Sequence, residues 1–290
     1  MGSLFGFFTH EALETYQEAL AGSEGVNFAE GDFYDFTRCV RPDGTAYASS
    51  GKCRKGTEQA KEKVTPVSKG PSRSALPEYW QERAELSEER YNEKLKKASV
   101  THMGTTTPHL VEKMKPYTKL SGDEKAAVQM YGAAGMKEQI FDSINMKLRT
   151  GAEPSEDKKA AVEFTTVHLK SALEKLPDAE GKFHRAVSGG GAKALQGLTP
   201  GSVITDNGFG SYSDRSGPNI SPFFDRTAND NAVMVVKGKT FKNVSPVMPY
   251  QEGEHLSRPG TQLRLVNIRP QGTWSRKLNQ YVTNYEFEEV

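Results

Sequence analysis

Phe183-His184-Arg185-Ala186-Val187 decides the fold class, because it stands where helical periodicity stops and strand-like runs begin. Upstream, Ser121-Gly122-Asp123-Glu124 has the capping-box pattern that opens a helix. A helix carrying Phe141, Ile144, Asn145 and Leu148 stops at Arg149-Thr150-Gly151, a C-terminal glycine signal. A further helix runs from about Ser155 to Leu176, with Val162, Val167, Leu169 and Leu173 as its apolar positions. From Phe183 onward the pattern changes. Ser202 to Thr205, Gly208 to Ser213, Ala232 to Val236, Leu263 to Ile268 and Tyr281 to Phe287 all read as strands. Helices first and strands after predict an α+β layout.

The chain of 290 residues suits one large domain or two modest ones. Hydrophobic residues make up 36% and charged residues 26%, with a mean hydropathy of −0.65, a balance expected of a soluble protein. A formal net charge of +1 provides no global field for nucleic acid or a membrane surface, and neither is expected as a partner. Met1 to Phe8 is apolar but lacks the basic start and length of a signal peptide, and no run is long enough to span a bilayer. The two cysteines, Cys39 and Cys53, make no disulfide framework and are expected as free thiols.

Three regions are expected. Residues 1–75 comprise a short helix from Thr9 through Leu20, two strand-like runs around the turn Pro42-Asp43-Gly44, and a linker over 56–75 rich in Lys, Ser, Pro and Gly. Residues 76–100 form a mixed-charge helix, read as a solvated arm packed lightly on a neighbour rather than as a specific partner helix, with Trp80, Leu86, Tyr91 and Leu95 as its few apolar positions. Residues 101–290 carry the chemistry.

Arg185 lies mid-strand, and its rigid fork of donors suits phosphate oxygens; a structural ion pair is the alternative. The neighbouring Gly189-Gly190-Gly191 is rejected as a phosphate loop, since no Lys-Ser/Thr follows it and no helix is expected to open there. Ser211 and Ser213 share one face of a strand, with Tyr212 on the other. Glu252 and Glu254, spaced i, i+2 ahead of the strand-like Thr261 to Ile268, point the same way. One such acid can steady a developing cation while the other handles a nucleophile. Glu286 and Glu288 repeat the spacing without a comparable setting. The six histidines show no metal-ligand spacing, no nucleophile–His–Asp triad can be assembled, and a glycosidase pair would sit on separate strands.

In this order Arg185, Gly208-Phe209-Gly210-Ser211-Tyr212-Ser213 and Glu252-Gly253-Glu254 resemble the signature of the arginine-specific mono-ADP-ribosyltransferases of the R-S-E-x-E class, the bacterial toxin and phage type. A helical piece with Tyr131, Phe141, Ile144, Asn145, Leu148 and Arg149 resembles a fourth motif of that family. The resemblance covers residues 101–290. It implies an ADP-ribosyltransferase-like fold, with N-terminal helices followed by two packed, mainly antiparallel sheets and an NAD cleft. It also implies NAD as a substrate, no metal, and an arginine of a target protein as acceptor.

By the same resemblance Glu254 is the catalytic acid, Glu252 orients the incoming guanidinium, Ser211 holds Glu254, and Arg185 binds NAD. Ala186, Phe209, Ser213, Asn145, Arg149, Phe223, Phe224 and Arg226 complete the expected NAD-binding set, with an aromatic of Ser221 to Arg226 laid over the nicotinamide. Three positions depart from the family: Ala186 replaces a Gly, Tyr212 replaces a Thr, and Tyr250 sits one residue closer to Glu252 than usual. Two short stretches, Arg38 to Tyr47 and Gly51 to Glu58, resemble motifs of marine cyanophage proteins. With the lack of a signal peptide they imply a phage-encoded enzyme acting in a host cytoplasm, with virion association through residues 1–100; a secreted bacterial effector is the alternative origin. The family resemblance, through its T-even phage members, implies host RNA polymerase or translation proteins as targets. The alternatives are a catalytically inactive virion-associated protein that keeps the fold, and an NAD glycohydrolase.

Overall fold

The computed structural model describes residues 70–100, 104–132 and 140–290 except 226, 229, 250 and 251, together with the backbone of three short strands before residue 70. Those three are β1 (Thr37–Val40), β2 (Ala46–Ser49) and β3 (Glu58–Gln59), an antiparallel set with β1 in the middle. β1 and β2 flank the expected turn. β3, and the 3-10 turn Arg73–Ala75, lie in the stretch expected to be linker. The helix expected from Thr9 to Leu20, and Cys53, fall outside the described residues.

Six α-helices lie among the described residues: α1 (Glu78–Ala98), α2 (Pro108–Thr118), α3 (Gly122–Gly132), α4 (Phe141–Thr150), α5 (Glu156–Lys175) and α6 (Gly190–Gln196). α1 packs along a whole face, where only a light contact was expected. Trp80, Ala84, Ser87, Tyr91 and Leu95 recur at helical spacing on one face, and all are buried. Trp80 Nε1 donates to the carbonyl of Asp157 at 2.7 Å, and the Tyr91 hydroxyl donates to that of Tyr117 at 3.1 Å. A count of apolar residues undersold this helix, because its two large aromatics bury wide surfaces and their polar tips find partners.

The capping box of α3 forms as expected. The Ser121 amide donates to Glu124 Oε2 at 2.8 Å, and the Glu124 amide donates to Ser121 Oγ at 3.3 Å. The other oxygen of Glu124 accepts from Ser171 and Lys175 of α5, tying the two helices together. α4 stops where Gly151 turns left-handed at φ 77° and returns its amide to the carbonyl of Lys147.

Seven strands follow: β4 (Asp178–Ser188), β5 (Val203–Asp206), β6 (Gly210–Ser213), β7 (Asn231–Asn243), β8 (Glu254–Ser257), β9 (Thr261–Ser275) and β10 (Gln280–Glu289). They join in the order β4-β6-β8-β7-β10-β9-β5, and β4 also pairs with β7. β4, β6, β8 and β7 therefore close on themselves, while β10, β9 and β5 extend from the far side of β7. The two expected sheets are continuous through that one 13-residue strand. Every pairing is antiparallel except β7 with β10. The α+β layout expected from the sequence is the one observed.

Two details differ from expectation. β8 is a separate strand beginning at Glu254, where the sequence reads only as the approach to β9. The glycine run does open a helix, α6, on Gly189 at φ 58°. It lacks the Lys-Ser/Thr of a phosphate loop all the same.

Alternation along the strands divides the core. Ala186, Val233, Val235 and Leu256 face the helices, in one cluster with Trp80, Tyr91, Ile144, Phe164 and Leu173. Phe183, Tyr212, Val236, Phe241, Leu263 and Phe287 make a second cluster on the opposite face.

Candidate active site

β6 and β8 run antiparallel with Ser213 opposite Glu254 and Ser211 opposite Leu256. Side chains on alternate positions therefore put Ser211, Ser213 and Glu254 on one face, and Ser211 Oγ donates to Glu254 Oε1 at 2.6 Å. Glu254 is 3% exposed. Burial pushes its carboxyl up to about 7, against the Ser211 hydrogen bond, and the neighbouring charge of Glu252 adds to the rise. Glu254 is thus poised near neutrality in the free protein.

Gly253 sets the geometry between the two acids. Its φ is 64°, and a Cβ there would fall 1.8 Å from Asp214 Oδ1. Only glycine fits, because the backbone turns left-handed while passing close to a side chain. The turn is pinned to β6: the Ser213 hydroxyl donates to the Glu252 carbonyl, and the Asp214 amide donates to that of Gly253 at 3.0 Å. Glu252 Oε2 is buried without a hydrogen-bond partner. Burial raises its carboxyl, offset in part by the charge of Arg215.

The segment leading to this turn is braced from the helices. Lys94 Nζ of α1 donates to the carbonyl of Pro249 at 3.0 Å, Gln129 Nε2 of α3 to that of Val247, and the Tyr117 hydroxyl of α2 to that of Asn243 at 2.8 Å. Sequence patterns missed all three donors, since a side chain bonded to a distant backbone carbonyl leaves no local signal.

A second group gathers on Asp206, at the end of β5. Arg149 of α4 grips its carboxylate with two donors, at 2.9 and 3.1 Å, while Arg185 of β4 adds one longer contact at 3.4 Å. Burial would lift the Asp206 carboxyl, but the two guanidiniums outweigh it and hold the group below the usual carboxylate range. Two positive charges on one negative leave a net positive site. Asp206 was not singled out from the sequence; only a reading of Arg149 and Arg185 as a pair would have asked for a carboxylate between them.

Asn145 is committed to the start of the β6 segment. Its Oδ1 accepts from the Phe209 amide at 2.8 Å, and its Nδ2 donates to the Tyr131 hydroxyl, which in turn donates to the Phe209 carbonyl. Burial raises the Tyr131 hydroxyl's proton affinity, and the charges of Arg149, Glu254 and Arg185 all act on it. Tyr131 therefore stands between the two groups of the site. Gly208 completes the fit, since a Cβ there would meet Arg149 Nε and Asn145 Oδ1 at 2.7 Å each.

The remaining expected residues are placed as follows. Ala186 is buried beside Val233 and Val235, and Phe209, Phe223 and Phe224 are buried in the helix-facing cluster. Arg226 and Tyr250 fall outside the described residues. The open cavity lined by Glu180, Lys182, Lys237, Glu286 and Glu288 includes no residue of the candidate site. No group of metal-ligating side chains, and no helix long and apolar enough to cross a membrane, is present among the described residues.

Comparison with solved structures finds similarity to ADP-ribosyltransferases. They include Vis toxin from Vibrio splendidus (22% identity, covering 77% of this chain and 88% of that one, TM-score 0.46). Exoenzyme S from Pseudomonas aeruginosa, solved with human 14-3-3 protein beta and carba-NAD, is similar too (21%, 70% and 88%, TM-score 0.46). HopU1 from Pseudomonas syringae pv. tomato is a third (14%, 71% and 97%, TM-score 0.49). No family model matches the chain, and no curated protein matches it.

Proposed function

We propose that this chain is a mono-ADP-ribosyltransferase that moves ADP-ribose from NAD to an arginine of a target protein and releases nicotinamide. The observation that carries the reading is Glu254, buried, held by Ser211 at 2.6 Å, with the unpartnered carboxylate oxygen of Glu252 beyond a glycine turn. The motif resemblance of Arg185, Ser211, Glu252 and Glu254 supports it.

In this reading the N-glycosidic bond breaks with its electron pair leaving on nicotinamide, which becomes neutral. The ribose carbon then carries oxocarbenium character. The Glu254 carboxylate, fixed before the reaction and shielded from water, stabilises that charge. Glu252 binds the acceptor guanidinium and accepts its proton as the new C–N bond forms. Its orphaned oxygen fits a donor that arrives with the acceptor. Arg185, held by Asp206 through one long contact, has donors to spare for the pyrophosphate, and Ser213 fixes the loop. Asn145 and Arg149 serve the same site by holding Phe209 and Asp206. Phe223 and Phe224 are kept as the proposed nicotinamide side, Arg226 as a proposed phosphate contact, and Ala186 as the position beside the nicotinamide.

We read the acceptor as a protein of a host cell, and the virion association expected through residues 1–100 as confined to the part that precedes α1, since α1 belongs to the main core. Labelled NAD in host-cell lysate tests the reading against Glu254→Ala and Glu252→Ala. Discrete bands that map to arginine and vanish in both variants are expected. Nicotinamide release without labelled protein would instead mark a glycohydrolase, and neither product from folded protein would mark an inactive scaffold.

A further inference from the structure

Tyr212 and Arg185 face each other across two strands. The single bridge between β4 and β6 pairs His184 with Ser213, which sets Arg185 beside Tyr212 on the next position. The guanidinium carbon lies 5.8 Å from the ring centroid, within reach of a cation–π attraction. The ring is fully buried and packs against Phe241 at 4.8 Å. Its hydroxyl is buried too, approached by the Arg185 guanidinium but with no acceptor for its own proton.

That hydroxyl is a liability in the free protein, because a buried donor without an acceptor costs stability and phenylalanine would fill the same space. Its surroundings indicate a use. A Cβ on Gly210 would meet Tyr212 Cε2 at 2.6 Å and Asp206 Oδ2 at 3.3 Å, so the ring edge lies close to the carboxylate that gathers Arg149 and Arg185. Of those two guanidiniums, Arg149 gives Asp206 two short bonds and Arg185 a single long one.

We propose that Tyr212 is a dinucleotide-positioning residue: its ring carries the Arg185 guanidinium, and its hydroxyl donates to a phosphate oxygen once Arg185 turns from Asp206 to the dinucleotide. The inference rests on the transferase reading and adds a residue to it. The threonine found here in the similar family has no ring to carry a guanidinium, so this chain would hold its phosphate-binding arginine differently.

The test is calorimetric titration of ADP-ribose, and separately of nicotinamide, into wild type, Tyr212→Phe and Tyr212→Leu, with NAD KM and kcat measured alongside. Tyr212→Phe keeps the ring and should fold as wild type. It should weaken ADP-ribose binding about tenfold, as for a hydrogen bond to a charged group. NAD KM should rise by a similar factor with kcat held within about twofold, the signature of lost uniform binding. Nicotinamide affinity should stay as in wild type, and Tyr212→Leu, where it folds, should bind ADP-ribose more weakly still. Unchanged ADP-ribose affinity in Tyr212→Phe, or an equal loss for nicotinamide, would overturn the inference and leave the transferase reading standing. A wild type that binds neither ADP-ribose nor NAD would overturn both.

Discussion

At the residue scale the site turns on Glu254, whose carboxyl is raised from 4.5 to about 7 chiefly by burial. Catalysis in the proposed reaction needs the charged form, so kcat/KM should climb as pH rises through about 7 and level off above it. A pH profile flat between 5.5 and 8.5 in that assay would remove Glu254 from the role (on the order of three pH units spans the titration). Stability should run the other way. A carboxyl with a raised folded pKa binds its proton more tightly when folded. Its contribution is therefore complete below about 4.5 and is lost as pH rises through about 7. Glu254→Gln should accordingly melt higher than wild type at pH 8, with the gap closing toward pH 4.5, while its transfer rate falls about 10²–10³-fold. Gly253→Ala makes a sharper geometric test. With φ 64° and Asp214 in the way, it should displace Glu252 and abolish labelling of protein. Its circular dichroism should stay native.

At the element scale the Glu252–Glu254 turn depends on helices far from it in sequence. α1, α2 and α3 each send one donor to a backbone carbonyl between Asn243 and Pro249. Gln129→Leu should cost about 1 kcal/mol of stability, the usual worth of such a bond, and more if the Val247 carbonyl is left unpaired. It should also lower transfer while leaving ADP-ribose affinity as it was; a parallel loss of both would place the brace elsewhere. The elements themselves were legible unevenly. The Ser121 to Glu124 box and the Gly151 stop are local signals, and both were read. β8 was not, because Glu254-His255-Leu256-Ser257 is four residues long with two polar members at its start. Its strand character comes from pairing with β6 and β7, which no local window contains. The pairing of Ser211 with Glu254 was expected from the motif, whereas Asp206 between two arginines became visible only when α4, β4 and β5 met.

At the scale of the whole molecule, one core extends from Leu76, and from Trp80 of α1, to Leu256 and Val282 near the end of the chain. The expected boundary at residue 100 cuts through it. A fragment beginning at residue 70 should fold and unfold in one cooperative transition by calorimetry. One beginning at residue 101 should be aggregation-prone, since it would bare the surfaces that α1 covers on α3 and α5. A soluble, native-like fragment 101–290 would show that α1 is dispensable.

β7 belongs to both halves of the strand layer, pairing with β4, β8 and β10. Its interior amides are therefore shut in by neighbours on either side along most of its length, and no partial opening that spares one half can free them. Hydrogen exchange there should report the global unfolding free energy, while β5 at the margin exchanges through small local openings. The slowest clock in this protein would then be read from the strand that carries none of its chemistry.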